Sequence, residues 1–230
     1  ELVELEKDAM KAADAYVFVS KGYEREARAF HDIPASKPSI VAYSYCFEQS
    51  LEWQRFPRLR GICYEGNLVA SPDPKMSYRN HLYLAEFCRA HNIPFATYGG
   101  EGLTLNHYAK CGTICNAMLP YPKLISNLAR WDWGFVGHAD RTRTLEYCMP
   151  NKMFEYIAAG IPVICCNAPE AGEWAEEHGV GVNITTIHKI PEIYAEHERL
   201  RETVEEKRSE IVMENQVPMI LDLYEKVLNG

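Results

Sequence analysis

The 230-residue chain contains no run of roughly twenty apolar residues, so nothing in it reads as a membrane-spanning helix, and no signal peptide is visible at its start. It has no CxxC pair, which removes the usual mark of a structural zinc site. No Asp-x-Asp cluster stands at the end of an apolar run, so any phosphate bound here is expected to need no divalent metal. A basic excess is also missing. The 24 Lys and Arg residues face 32 Asp and Glu, a formal charge of −8, whereas general nucleic-acid binding calls for the opposite balance. A local positive pocket for a small anion is still compatible with that charge. The chain has no low-complexity segment, no internal repeat and no initial methionine. The last absence points to a fragment or processed product, with part of the machinery upstream of Glu1.

What is present is a composition that is 47% hydrophobic, enough for one sizeable core or two small ones. Several of the eight cysteines, at 46, 63, 88, 111, 115, 148, 165 and 166, lie inside apolar runs. A free thiol packs there as a small hydrophobe, and the reading is a reducing, cytoplasmic compartment. His107, Cys111 and Cys115 come nearest to metal-ligand spacing, stacked on one helix face, but no fourth ligand is evident and no metal is expected.

Short apolar runs bounded by Gly, Pro or polar residues recur at 15–20, 39–45, 61–66, 95–100, 113–119, 133–138, 162–166 and 180–184, and each reads as a buried strand. Helical patterns at 76–91, 123–131 and 168–179 lie between them. Alternation with short links predicts an α/β fold, a Rossmann-like parallel sheet with helices on both faces. Residues 46–60, with Trp53, Phe56 and Pro57, read as a linker; 196–210 read as a solvated charged helix and 216–230 as an amphipathic helix.

In such a sheet the ligand crevice lies at the carboxyl ends of the strands, where the strand order reverses. That singles out Gly66 and Asn67, Gly99 and Gly100, Met118 to Tyr121, His138, and the loop ending at Asn151. "YGGEGL" (98–103) fails the spacing of a dinucleotide fingerprint and does not follow the first strand of the unit, so a nicotinamide site is excluded.

The stretch "MPNKMFEYIAAGIPVICC" (149–166) is the most informative. Asn151 is a good N-cap, and Gly160 followed by Pro162 ends the helix. Met153, Phe154, Ile157 and Ala158 can face the core, leaving Lys152, Glu155, Tyr156 and Ala159 on the other side. Free N–H groups at the helix start, with Lys152 beside them, suit a phosphate; a carboxylate one turn later suits the paired hydroxyls of a ribose. The pattern therefore suggests a nucleotide. The competing reading is an ordinary Lys152–Glu155 surface pair.

"PNKMFEYIAAGIPVI" followed by "EAGEWAEEHGVGV" resembles the donor-site segment of GT-B glycosyltransferases of the GT4-like group. "AADAYVFVSKGYE" (12–24) is similar to the last βα unit of that family's N-terminal domain, and "SIVAYSY" to its interdomain strand. "YEGNL" resembles the first strand and glycine turn of its nucleotide-binding domain, and "LPYPKLISNLARWDWGFV" the segment bordering the base. The resemblance implies that residues 1–45 end an acceptor domain, 61–215 form the donor domain and 216–230 a C-terminal helix. It implies Glu155 on the ribose, Lys152 and the helix start on the diphosphate, the backbone of Leu119 to Tyr121 on the base, and Gly66 under a phosphate or sugar. The donor would be a nucleotide-diphosphate sugar, UDP or GDP unresolved. The acceptor, a glycan, lipid or small molecule, would be bound by a domain largely absent here, with room for peripheral membrane association of the full protein.

Departures are visible too. Tyr147 stands eight positions before Glu155, where many relatives have a second glutamate, and Glu146 is one place off. Asn67 follows the first glycine in place of a base, leaving Lys75, Arg79, Arg141 and Arg143 as other candidate cations. A nucleotide-sugar epimerase on the same architecture and a non-catalytic donor-binding subunit are the alternatives; the epimerase usually has a Ser-Gly-Gly turn where "MPNK" stands here.

Overall fold

The structure, a computed structural model, describes residues 2–52, 56–70, 79–138 and 146–229. Strands form at all eight apolar runs, with their ends trimmed. A parallel pair, β1 (Tyr16–Phe18) and β2 (Ser39–Val41), is accompanied by α1 (Leu2–Ala12) and α2 (Lys21–Phe30). The remaining strands make one six-stranded parallel sheet: β3 (Ile62–Glu65), β4 (Phe95–Tyr98), β5 (Ile114–Asn116), β6 (Trp133–Gly137), β7 (Val163–Cys166) and β8 (Gly181–Ile184). The helices are α3 (Leu82–Ala90), α4 (Gly102–Lys110), α5 (Tyr121–Leu128), α6 (Asn151–Ala158), α7 (Pro169–Glu177), α8 (His197–Lys207) and α9 (Val217–Asn229), with a single turn at Ile190–Ile193.

Strand side chains alternate between two cores, which is why the strands read as unbroken apolar runs rather than as alternating ones. Cys63, Ala96, Val136 and Cys165 pack with Ile125, Met153, Phe154 and Trp174 on one face. Ile62, Phe95, Phe135 and Cys166 pack with Leu84, Cys88, Tyr108 and Leu200 on the other. The adjacent Cys165 and Cys166 thus serve opposite faces as buried free thiols, and burial raises both thiol pKa values, that of Cys166 to about 11.

The strand order β5-β4-β3-β6-β7-β8 places the reversal between β3 and β6. The crevice predicted for the carboxyl edge therefore opens above those two strands. At the opposite edge Asp132, 4% exposed, accepts from Gly61 N (3.0 Å) and Tyr194 Oη (2.9 Å) and lies 3.4 Å from His197 Nε2.

One expectation needs correction. α4 ends at Lys110, Cys111 is its C-cap, and Cys115 belongs to β5, so His107, Cys111 and Cys115 do not share a helix face. Gly112, at φ +79°, turns the chain out of the helix first. The segment read as a linker is described apart from residues 53–55, and its residues 56–60 are exposed, while its first part touches the body. Cys46 bridges to Val212, and Ser50 is buried in a short helical turn, Glu48–Glu52. Nearby, the Gln216 amide accepts from Tyr43 N and donates to Tyr43 O, both at 2.7 Å, holding the start of α9 against the exit of β2. Among the described residues no helix is long and apolar enough to cross a membrane.

Candidate functional site

β3 ends in Tyr64 and Glu65, and the chain then turns through Gly66 at φ +124°, a conformation that side chains disfavour. A Cβ on Gly66 would lie 3.0 Å from Lys152 Nζ and 3.5 Å from Tyr64 Oη, so the missing side chain leaves a nook between β3 and α6. Gly99, after β4, lies against it: a Cβ there would come within 2.3 Å of Gly66 O. This close approach is the physical need for glycine at both turns.

α6 begins one residue earlier than its sequence suggests. Pro150, extended at φ −74°, ψ 139°, is the flanking residue; its carbonyl accepts from Met153 N at 3.0 Å, and Asn151 is already helical. Asn151 is therefore not the N-cap, and no side chain caps this helix start. Proline has set the entry angle in place of a hydrogen-bonding side chain. The first-turn N–H groups are left for another acceptor.

Tyr156 and Ala159, expected on the open side, are buried. The Tyr156 ring lies against Gly134, where a Cβ would meet it at 2.2 Å, and its hydroxyl reaches β3 to accept from Glu65 N at 2.8 Å. The half-buried face of α6 thus reduces to Lys152 and Glu155. These do not make the ordinary surface pair. Lys152 donates to Tyr64 Oη at 2.9 Å and sits 4.0 Å from the centroid of its ring, a cation–π contact. Beneath Tyr64 lies His81, fully buried, with ring centroids 4.1 Å apart. Burial, and then the charges of Lys152 and His138, hold the His81 imidazole far below its usual pKa, so it is neutral.

Glu155 faces Glu65. Burial is the largest cause of a carboxyl pKa raised well above the ordinary range; the Glu65 charge and a hydrogen bond between the two side chains add to it, and Lys152 opposes it. The Glu155 carboxyl is thus held toward its protonated form beside a second carboxyl group, one helical turn from a lysine.

Two cavities flank this cluster. One, of about 230 Å³, is lined by Tyr64, Asn67, Gly137, His138, Cys148 and Lys152. The other, of about 510 Å³, is lined by Asn67, Arg79, Gly100, Glu101, Thr104 and Met118. Asn67 and Arg79 border both, which makes one crevice along the carboxyl edge.

The expected residues Gly66, Asn67, Gly99, His138, Lys152 and Glu155 are thus brought to one edge. His138 continues the sheet ladder through its N–H to Cys166 O, 3.2 Å, and its carbonyl accepts from Asn167. Leu119 and Tyr121 sit differently. The Leu119 side chain packs on the core, and the Tyr121 hydroxyl donates to Cys46 Sγ at 3.0 Å, while the exposed Met118 enters the larger cavity. Lys75, Arg141 and Arg143 lie outside the described residues. Sequence reasoning missed Tyr64 and Glu65, although both stand in "YEGNL" immediately before the glycine turn it marked. Among the described residues no group of three or more His, Cys, Asp or Glu could hold a metal ion.

No protein-family model and no curated protein matches the sequence. Solved structures do match the fold. A glycosyltransferase from Rickettsia africae ESF-5 superimposes with a TM-score of 0.66 at 13% identity, covering 97% of this chain and 67% of that one. HepE from Anabaena, solved in complex with UDP, gives 0.68 at 14% identity over 95% of this chain and 65% of its own. A sucrose-phosphate synthase from Thermosynechococcus elongatus gives 0.69 at 12% identity over 99% of this chain and 61% of its own. The chain spans about two thirds or less of the length of these proteins. At such identities the likeness establishes the architecture, the Rossmann-like fold of GT-B glycosyltransferases.

Proposed function

We propose that the chain is the donor-binding half of a GT-B glycosyltransferase, of the GT4-like kind that the 149–166 segment resembles, and that it holds a nucleotide-diphosphate sugar in the crevice above β3 and β6. The observation that carries this reading is the meeting, at one end of the crevice, of the Gly66 turn with Lys152 and the uncapped start of α6, Glu155 standing one turn further along the same helix. The helix start and Lys152 take the diphosphate; Glu155 accepts from the ribose hydroxyls; the larger cavity beside Met118 takes the base. Binding needs no divalent cation, because the positive charge comes from protein groups.

The chemistry this half offers is placement and leaving-group stabilisation. As the glycosidic bond to the diphosphate breaks, negative charge grows on the departing oxygen, and the Lys152 ammonium and the α6 N–H groups lie where they can offset it without reorganising. Residues 1–45 belong, on this reading, to the end of an acceptor-binding domain whose remainder selects the acceptor, so transfer by this chain alone is negligible. The fold neighbours are glycosyltransferases, and one was solved with UDP, which favours this reading over an epimerase.

The test is calorimetry with nucleoside diphosphates. Glu155→Ala should weaken the ribonucleotide by about ten- to a hundredfold, the value of a charge-assisted hydrogen bond or a pair of them, and should weaken the 2′-deoxy ligand less. Unchanged ribonucleotide affinity, or equal losses for both ligands, would remove Glu155 from the ribose.

A further inference from the structure

Tyr64 is 3% exposed, yet its hydroxyl lines the smaller cavity and donates to no acceptor among the described residues. It only accepts, from Lys152 Nζ at 2.9 Å. A phenol has one proton to give besides what it accepts. Over Gly66 a side chain would stand 3.5 Å from the Tyr64 oxygen and 3.0 Å from the Lys152 nitrogen, so a ligand atom placed there is within reach of both. A second feature supports a built position rather than a chance one. The ring is held by the Lys152 ammonium, 4.0 Å from its centroid, and by the neutral, buried His81, whose ring lies tilted against it with centroids 4.1 Å apart. The two His81 ring nitrogens have no hydrogen-bond partner, so its contribution here is packing.

We propose that Tyr64 is an anion ligand of the crevice, its hydroxyl and the Lys152 ammonium donating together to one phosphate oxygen seated over Gly66. In the empty site the same hydroxyl and ring hold Lys152 in position, so the lysine need not be ordered when the ligand arrives. This arrangement supplies a phosphate donor at a place where Asn67 stands and no arginine follows the glycine turn. It rests on the nucleotide reading above only for the identity of what carries the phosphate; the phosphate subsite itself stands on Tyr64, Lys152 and Gly66.

The experiment compares the parent chain with Tyr64→Phe by calorimetry against three probes: a nucleoside diphosphate, the nucleoside without phosphate, and inorganic pyrophosphate. Tyr64→Phe keeps the ring, its stacking and the cation–π contact, so the fold is retained, and matched melting curves check this. The expected result is a loss of about tenfold for both phosphate-bearing probes, one charge-assisted hydrogen bond, with the nucleoside unaffected. A purely structural tyrosine would affect all three probes or none. Tyr64→Leu, which also removes the cation–π contact, should lose more for the two phosphate probes and again nothing for the nucleoside. If Tyr64→Phe binds both phosphate probes as tightly as the parent, the inference is overturned while the nucleotide reading survives. If the parent binds pyrophosphate but gains nothing from an attached nucleoside, and Tyr64→Phe weakens that binding, the nucleotide reading falls and the phosphate ligand stands. A parent that binds no phosphate-bearing probe overturns both.

Discussion

Two carboxylate sites, one buried and one half-buried, lie at opposite edges of the same sheet, and their surroundings differ throughout. At the amino edge Asp132 meets a backbone N–H, a tyrosine hydroxyl and a histidine nitrogen, drawn from the start of β3, the turn after Ile193 and the first residue of α8. Both of its oxygens have partners. At the carboxyl edge Glu155 meets another carboxyl group, Glu65, with Lys152 turned toward Tyr64 instead. The first arrangement ties elements together. The second sets two carboxyl groups against each other, which favours the protonated form of Glu155. On the reading proposed above, a ligand with hydroxyl donors relieves that opposition, at the edge where open α/β sheets bind their ligands.

The largest effect should come from breaking the satisfied site. Asp132→Ala leaves the Gly61 N–H, the Tyr194 hydroxyl and His197 without their acceptor inside the protein, and should cost roughly 3 kcal/mol in urea unfolding. Nucleoside diphosphate affinity, measured where both proteins are folded, should stay at the parent value. A loss below 1 kcal/mol would mean that the amino-edge carboxylate is no more structural than its counterpart.

The unmatched site should respond in the opposite sense. The Glu155 pKa is raised on folding, so the folded protein keeps a proton there after the unfolded chain has lost it. Parent stability from this group is therefore greatest below the ordinary carboxyl range and declines as pH rises through the folded value. Glu155→Gln removes that slope. It should be more stable than the parent by about 1 kcal/mol in mildly alkaline buffer, with the advantage vanishing toward pH values near 4, the ordinary carboxyl pKa. Unfolding series at matched pH values decide it, and a Gln variant less stable than the parent in alkaline buffer would show that the pair is matched after all.

The smallest effect calibrates both. Lys226 and Asp222 form a 2.6 Å ion pair on α9, shorter than any contact of Asp132, but both side chains are exposed. Lys226→Ala should shift stability by less than about 0.5 kcal/mol, because water and side-chain entropy offset the attraction. A larger shift would say that distance, rather than surroundings, ranks these charges.

The sheet was legible because parallel strands covered on both faces leave unbroken apolar runs, as "WGFVGH" and "PVICC" do. That Gly66, Lys152 and Glu155 come to the carboxyl edge was legible from the same fact. What could not be read is where side chains distant in sequence meet. Tyr64 and Lys152 are 88 residues apart, and nothing in "YEGNL" announces that its tyrosine lies under a lysine or its glutamate against another carboxyl group. The start of α6 was misjudged for a local reason. Asn151 has the side chain of a cap, but Pro150 before it is already in the flanking conformation. The stacking of His107, Cys111 and Cys115 failed because Gly112 breaks the helix before a second turn can align them.

Gly134, the second residue of β6, lies under the Tyr156 ring, and its lack of a side chain lets α6 settle onto the sheet. That contact acts as a depth gauge. The Tyr156 hydroxyl spans β6 to the Glu65 N–H, so the height of the helix above Gly134 also sets how far Lys152 and Glu155 rise above the rim of β3. A single methyl group added at Gly134 would push the ring outward and carry the helix with it, changing the depth of the crevice from beneath. The depth of the crevice can therefore be adjusted at a position that does not line it.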